Sequence, residues 1–215
     1  DPVVDVRLFT RNRVFAFSSL AALINYASTF AVGFLLSLYL QRLHGFSPQQ
    51  TGIILVSQPL AQAVFSPLAG KLSDRIEPRI LASIGMALTA LGMAPLIMLD
   101  TSWPIAWLIA FLVVQGVGFG LFSSPNTNAI MGSVPPRLYG TASGTVATMR
   151  MLGMILSMMV TALLFGFKLG GSDIGAEQTQ DFIFVMRASF MLFVLFCLFG
   201  IGFSAVRGNM ADRNA

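Results

Sequence analysis

Six stretches of this sequence, residues 14–40, 51–70, 80–99, 103–131, 139–167 and 182–206, each hold at most one charged side chain. A hydrocarbon layer about 30 Å thick asks a helix for about 20 consecutive apolar residues, and each stretch meets that length. Lipid offers no partner to backbone amides, so such segments close their hydrogen bonds internally. None shows the dyad alternation of a barrel strand, so the chain reads as an all-α membrane protein of six transmembrane helices. Composition agrees: 55% of the residues are hydrophobic and 10% charged, too little polar surface to enclose one water-soluble core.

The organisation that follows is an interfacial segment over 1–13, a six-helix bundle over 14–206 and a short tail over 207–215. The opening segment alternates Val3, Val4, Val6, Leu8 and Phe9 with charged residues, as suits a stretch lying in the headgroup layer. The first apolar stretch is too long for a secretory leader, lacks a small-residue cleavage site and is followed by five more. The missing initial methionine reads as a sign of an excised or processed fragment or of a removed tag.

Lysine and arginine are unevenly shared between the two sides. Arg7, Arg11, Arg13, Lys71, Arg75, Arg79, Arg137, Arg207 and Arg213 fall on the side of the termini, and only Arg42 and Lys168 on the other. The positive-inside rule then places both termini in the cytoplasm, with the chain multi-pass in the cell membrane. The formal net charge of +4 is accounted for by these flanking residues, which meet anionic headgroups, and not by nucleic acid. The single cysteine, Cys197, lies among Phe, Leu and Met, so neither a disulfide framework nor a metal site is expected.

Small residues punctuate the fourth and fifth stretches. Gly116 and Gly120, and again Gly140 and Gly144, are spaced for close helix packing. Pro59, Pro67, Pro95 and Pro125 are expected to bend their helices. The run Gly116–Val117–Gly118–Phe119–Gly120 lacks the strand and turn of a nucleotide-binding loop.

The loop after the second stretch runs Gly70, Lys71, Leu72, Ser73, Asp74, Arg75, Ile76, Glu77, Pro78, Arg79. It resembles the cytoplasmic signature of the major facilitator superfamily: a glycine ending a helix, Asp-Arg four residues on, then further basic residues. Glu77 and Pro78 stand where that signature usually carries a glycine, which exchanges a flexible turn for a rigid one. The runs GFGLFSSPNTNAIMGSVPP and GTASGTVATMRMLG, with QRLHGFSPQQTG after the first stretch, resemble the C-terminal half of the fourteen-span drug and proton antiporter branch. The resemblance implies half of a secondary transporter that exports hydrophobic or amphipathic small molecules by alternating access. It implies a partner, either the N-terminal half or a second copy forming a homodimer. It also implies that spans one, two, four and five line a cavity while three and six face lipid, and that Gly70, Asp74, Arg75 and Arg79 form a conformational-switch loop. Asp74 would meet the start of a fifth span, around 138–140, in the opposite half, where a helix N-terminus favours negative charge.

Polar groups at membrane depth are the remaining pointers, because each costs desolvation unless it faces protein or water. Asn25, Tyr26 and Thr29 in span one, Gln58 and Gln62 in span two, Gln115 and Asn126 in span four and Arg150 in span five form the expected cavity set. In a lone half, amides such as Asn25 and Gln58 are expected to meet lipid. Arg150 lies about 16 Å into its helix at 1.5 Å per residue, too deep for easy snorkelling, and reads as a cavity charge that binds an anion or pairs with a coupling carboxylate; the resemblance, which places an arginine here across exporters of varied substrate, implies a conformational or coupling role over direct substrate choice. None of the nine acidic residues falls inside a stretch, and His44 lies in an outer loop, so the coupling carboxylate is expected elsewhere. No nucleophile, base and orienting group can be assembled, which argues against an enzyme, and no cofactor is expected.

Overall fold

The computed structural model describes residues 6–169 and 179–206, and every regular element among them is helical. The expected terminal tail and the first five residues of the interfacial segment lie outside the described residues. Six helical stretches are long and apolar enough to cross a membrane: Arg13–Leu43, Pro48–Ser73, Pro78–Met98, Ile105–Gly132, Pro136–Lys168 and Thr179–Ser204.

Local chemistry sets the boundaries. A short helix α1 (Val6–Arg11) stops at Asn12, whose Oδ1 accepts from the Phe15 amide at 3.1 Å and so caps α2 (Arg13–Leu38). The Asn12 amide donates to the Ser133 carbonyl at 2.7 Å, tying the start of the first span to the end of the fourth. Beyond α2 the chain continues as one π-helical turn, Tyr39–Leu43, and then reverses at Gly45, whose φ of +68° suits glycine. Ser47 and Gln50 form a reciprocal capping box with Pro48 in the first turn, so α3 (Pro48–Leu55) begins before residue 51.

The second span is broken at Val56, and α4 (Ser57–Ser73) resumes beyond it. Pro59 explains the break: it has no N–H to return to Leu55 and its ring crowds that carbonyl. Likewise α5 (Pro78–Met93) tightens into a 3₁₀ turn, Ala94–Met98, where Pro95 falls. Three helices complete the set: α6 (Ile105–Gly132), α7 (Tyr139–Leu169) and α8 (Thr179–Val206).

The helices form two layers. In the front layer α4 packs on α6, α6 touches α2, and α2 packs on α7. Behind them α5 packs on α6, α8 packs on α2, and α5 and α8 pack on each other. Spans one, two, four and five thus share one layer, and three and six the other. The main core joins α2, α5, α6 and α8 through Leu35, Met93, Leu112, Met186, Phe190 and Phe193. The edge helices α4 and α7 are the least buried of the spans.

Glycine sets the spacing where backbones meet. A Cβ on Gly116 would collide with the Gln58 carbonyl and lie 2.9 Å from the Ala61 Cβ, while one on Gly120 would lie 3.2 Å from the Gln62 carbonyl. The expected small-residue packing of α6 is therefore realised against α4. At Gly140 it is not: nothing lies within 4 Å of a Cβ there, because the first turn of α7 buries Ala142 against Phe15, Ile130 and Val134 and leaves Gly140 on its open side.

Candidate functional site

The front layer carries the polar residues singled out from the sequence, but it divides them into two environments. Arg150 on α7 is exposed, and its guanidinium carbon stands 5.0 Å from the centre of the Tyr26 ring on α2. Tyr26 meets Phe119 of α6 edge-on at 5.2 Å, so one aromatic side chain joins three helices. The contact is made possible by Gly153, one turn along α7, where a Cβ would collide with the Leu23 carbonyl and sit 2.8 Å from the Tyr26 Cβ. A cation held over a tyrosine face gains about 0.5–1 kcal/mol at an exposed site and about 2 kcal/mol when water is excluded. Among the described residues Arg150 has no carboxylate partner and no hydrogen-bond acceptor.

The amides of α2 and α6 occupy the second environment, inside the bundle. Asn25 is fully buried, and neither its amide nitrogen nor its oxygen has a partner. This corrects the expectation that Asn25 meets lipid in a lone half: α2 is packed on several sides by α6, α7 and α8, and the side chain is enclosed by them. Thr29 turns back on its own helix, donating to the Asn25 carbonyl at 2.8 Å. Gln115 is buried with Oε1 unpartnered, whereas Asn126 donates to the Ser18 carbonyl at 3.0 Å across the α2 and α6 contact. Asn126 thus holds two helices together. Gln58 and Gln62 are half-buried on α4, on the far side of α6 from Arg150.

The loop motif sits at the end of the bundle where α4 stops. Gly70 lies against Ser124 of α6, and Asn128 donates to the Ser73 hydroxyl at 2.9 Å, so the end of α4 is fastened to α6. Asp74 and Arg75 are exposed. Arg79 pairs with Glu77 at 2.9 Å across Pro78, which occupies the first turn of α5. The residue that departs from the family signature therefore neutralises one of the basic residues that belong to it.

At the opposite end, Tyr39 donates to the Asp100 carbonyl and Arg187 to the Leu99 carbonyl at 2.8 Å, so the turn after α5 is held from two sides. Lys168 and Asp181 pair at 3.2 Å. His44 stacks on Phe46 and tilts against Tyr39, and burial there lowers its pKa below the usual histidine value.

One feature of the site escaped the reading of the sequence. Phe30, Met151, Met154, Ile155, Met158 and Met159 line an open apolar groove of about 600 Å3 along α7 and α2. The spacing of the methionines by three and four residues is the signal that marks it. No group of three or more His, Cys, Asp or Glu side chains gathers as a metal site among the described residues.

A two-layer helical bundle with six membrane-spanning helices and buried amides at mid-helix defines a polytopic membrane protein of the transporter kind. The profile of the Major Facilitator Superfamily matches residues 18–211, and the chain belongs to that family. It is 28% identical over 198 residues to the riboflavin transporter RibZ of Clostridioides difficile, a match spanning 92% of this chain and 43% of that protein. It is 32% identical over 174 residues to the uncharacterized transporter YebQ of Escherichia coli K12, covering 81% of this chain and 36% of that protein. It is also 32% identical over 167 residues to the methyl viologen resistance protein SmvA of Salmonella typhimurium LT2, with 76% and 33% covered. The chain therefore spans less than half the length of these relatives.

Proposed function

We propose that this chain supplies one half of a proton-coupled secondary transporter that exports hydrophobic or amphipathic small molecules by alternating access. The observation that carries this reading is the front layer: α4, α6, α2 and α7 lie side by side, with Tyr26, Gln58, Gln62 and Arg150 less than fully buried along it. That layer would wall a central cavity once a second half faces it. Asn25, Thr29, Gln115 and Asn126 lie behind the wall, where Asn126 ties α6 to α2. Membership of the family and the name of its methyl viologen resistance relative support export. RibZ, named for riboflavin, keeps a single aromatic metabolite as the competing substrate class.

In this reading both termini and the loop at Gly70, Asp74, Arg75 and Arg79 face the cytoplasm of a cell whose plasma membrane holds the protein. The loop is the conformational switch, and the proton-titrating carboxylate comes from the partner half, because α2 to α8 offer none at mid-membrane among the described residues. The test is export of a fluorescent amphipath by inverted membrane vesicles bearing the gene product, with and without a protonophore. Export that ignores the protonophore removes proton coupling, and its absence for every amphipath removes the export reading.

A second copy of the chain is the alternative partner. The exposed Asp74, the exposed Tyr139 and the open surface at Gly140 favour it, since a carboxylate of one copy then meets the start of α7 in the other. Cross-linking between cysteines at Ser73 and Tyr139 of different protomers tests this; a monodisperse monomer in nanodiscs without that cross-link refutes it.

A further inference from the structure

The apolar groove on α7 lies within one helical turn of a charged side chain. Its lining residues Met151, Met154, Ile155, Met158 and Met159 repeat along one face of α7, and Arg150 stands at the edge of that face, four residues before Met154. On the facing helix, Phe30 lines the groove and Tyr26, one turn earlier, carries the Arg150 guanidinium. A wall of methionine and phenylalanine thus has a planar cation one helical turn beyond it on both helices. Its volume of about 600 Å3 falls within the range of pockets that take drug-sized molecules.

The cation is available. Tyr26 covers one face of the guanidinium, and the five N–H donors along its rim have no acceptor among the described residues. No aspartate or glutamate falls inside any of the described spans near it. A planar fork with unused donors and low competing hydration is suited to a carboxylate, sulfonate or phosphate, which it engages through two parallel hydrogen bonds. The methionines, flexible and polarisable, accept flat aromatic bodies of differing outline.

We infer that the groove is a binding site for planar aromatic anions, with the ring system between Phe30 and the methionines of α7 and the acidic group on Arg150. This inference rests on the transport reading for its biological use but not for its chemistry. It adds a sign of charge to the substrate class: anionic aromatic compounds are preferred over cationic ones of the same shape.

The test uses the chain in lipid nanodiscs and two matched probes, 2-naphthalenesulfonate and 2-naphthyltrimethylammonium, with empty nanodiscs as the blank. Equilibrium dialysis is expected to give at least about tenfold tighter binding of the sulfonate, the size of one charge-assisted contact of about 1.4 kcal/mol. Arg150→Gln removes that preference without weakening the ammonium probe, and Ile155→Ser weakens both. Arg150→Lys keeps the preference in reduced form, so a poorly folded Gln variant leaves the question open to the Lys variant and to added salt, which weakens only the sulfonate. Equal binding of the two probes, or a preference that survives Arg150→Gln, overturns the inference. If neither probe binds while vesicles still export, the site assignment falls and the transport reading stands; if binding follows Arg150 but no vesicle exports, the transport reading falls instead.

Discussion

Replacing Gly116 by alanine adds one methyl group at the closest approach of α4 and α6. The new Cβ collides with the Gln58 carbonyl and approaches the Ala61 Cβ to 2.9 Å and the Gln58 carbonyl carbon to 3.1 Å. Two of these three neighbours are backbone atoms, so no rotamer change relieves the clash, and the helices must separate. Overpacking of this kind costs about 1–3 kcal/mol. The natural control is Gly33, which also lies inside a helix but has nothing within 4 Å of its Cβ position. Helix propensity changes alike in the two variants, so the difference between them isolates the clash. Reversible unfolding in mixed micelles by increasing dodecyl sulfate reads that difference directly. The expectation is a Gly116→Ala variant less stable than Gly33→Ala by about 2 kcal/mol, the middle of the overpacking range. Agreement of the two variants within about 0.5 kcal/mol, the spread of unremarkable substitutions, would refute the reasoning.

Other outcomes follow from the same packing. A cysteine at Ser73, beside the end of α4, is expected to resist an impermeant thiol reagent applied to intact cells, because the basic residues near it belong in the cytoplasm; labelling from outside reverses the topology. Arg150→Leu is expected to abolish export while leaving the unfolding midpoint within a few degrees, since the side chain is exposed and, among the described residues, makes no hydrogen bond or ion pair beyond its place over the Tyr26 ring; normal export by that variant removes its functional role. His44 is held neutral by burial, so its folded-state pKa lies below its unfolded one. Stability is then unaffected above the usual histidine range and falls as pH drops through it. The wild-type midpoint is expected to decline more than that of His44→Gln between pH 8 and pH 5 in thermal scans, and parallel declines would contradict this.

The sequence disclosed the spans because apolar length is a one-dimensional property, and α2 to α8 accordingly fall where expected to within a few residues. Facing is harder to read. On α2, apolar and small polar residues are spread around the helix, with Ala21, Ala22, Ile24, Tyr26, Ser28 and Thr29 flanking Asn25, so no apolar stripe distinguishes the packed surface from the open one, and the full burial of Asn25 emerges only from the positions of α6, α7 and α8. Glycine spacing was equally ambiguous: Gly116 and Gly140 each begin a small-residue step, yet only the first lies under a neighbouring backbone. Arg150 was legible as a charge out of place. Its partner Tyr26 was legible as a polar residue at similar depth, but the contact between them depends on Gly153 and on which helices are adjacent. The methionine groove was present in the spacing of α7 and needed Phe30 from α2 to become a surface with two walls.

The pairing of α2 with α7 and α8 dictates an order of biogenesis. α4, α5 and α6 follow one another along the chain and pack among themselves, so this trio can associate as soon as its third member leaves the ribosome and enters the bilayer. α2 is made before them, yet two of its principal neighbours are the last helices to be synthesised. Until those arrive, α2 lacks the cover that α7 and α8 give it in the finished bundle, and a polar side chain such as Asn25 is costly wherever it meets hydrocarbon. A chain interrupted after α6 is therefore expected to leave the trio beside a first helix without two of its principal neighbours.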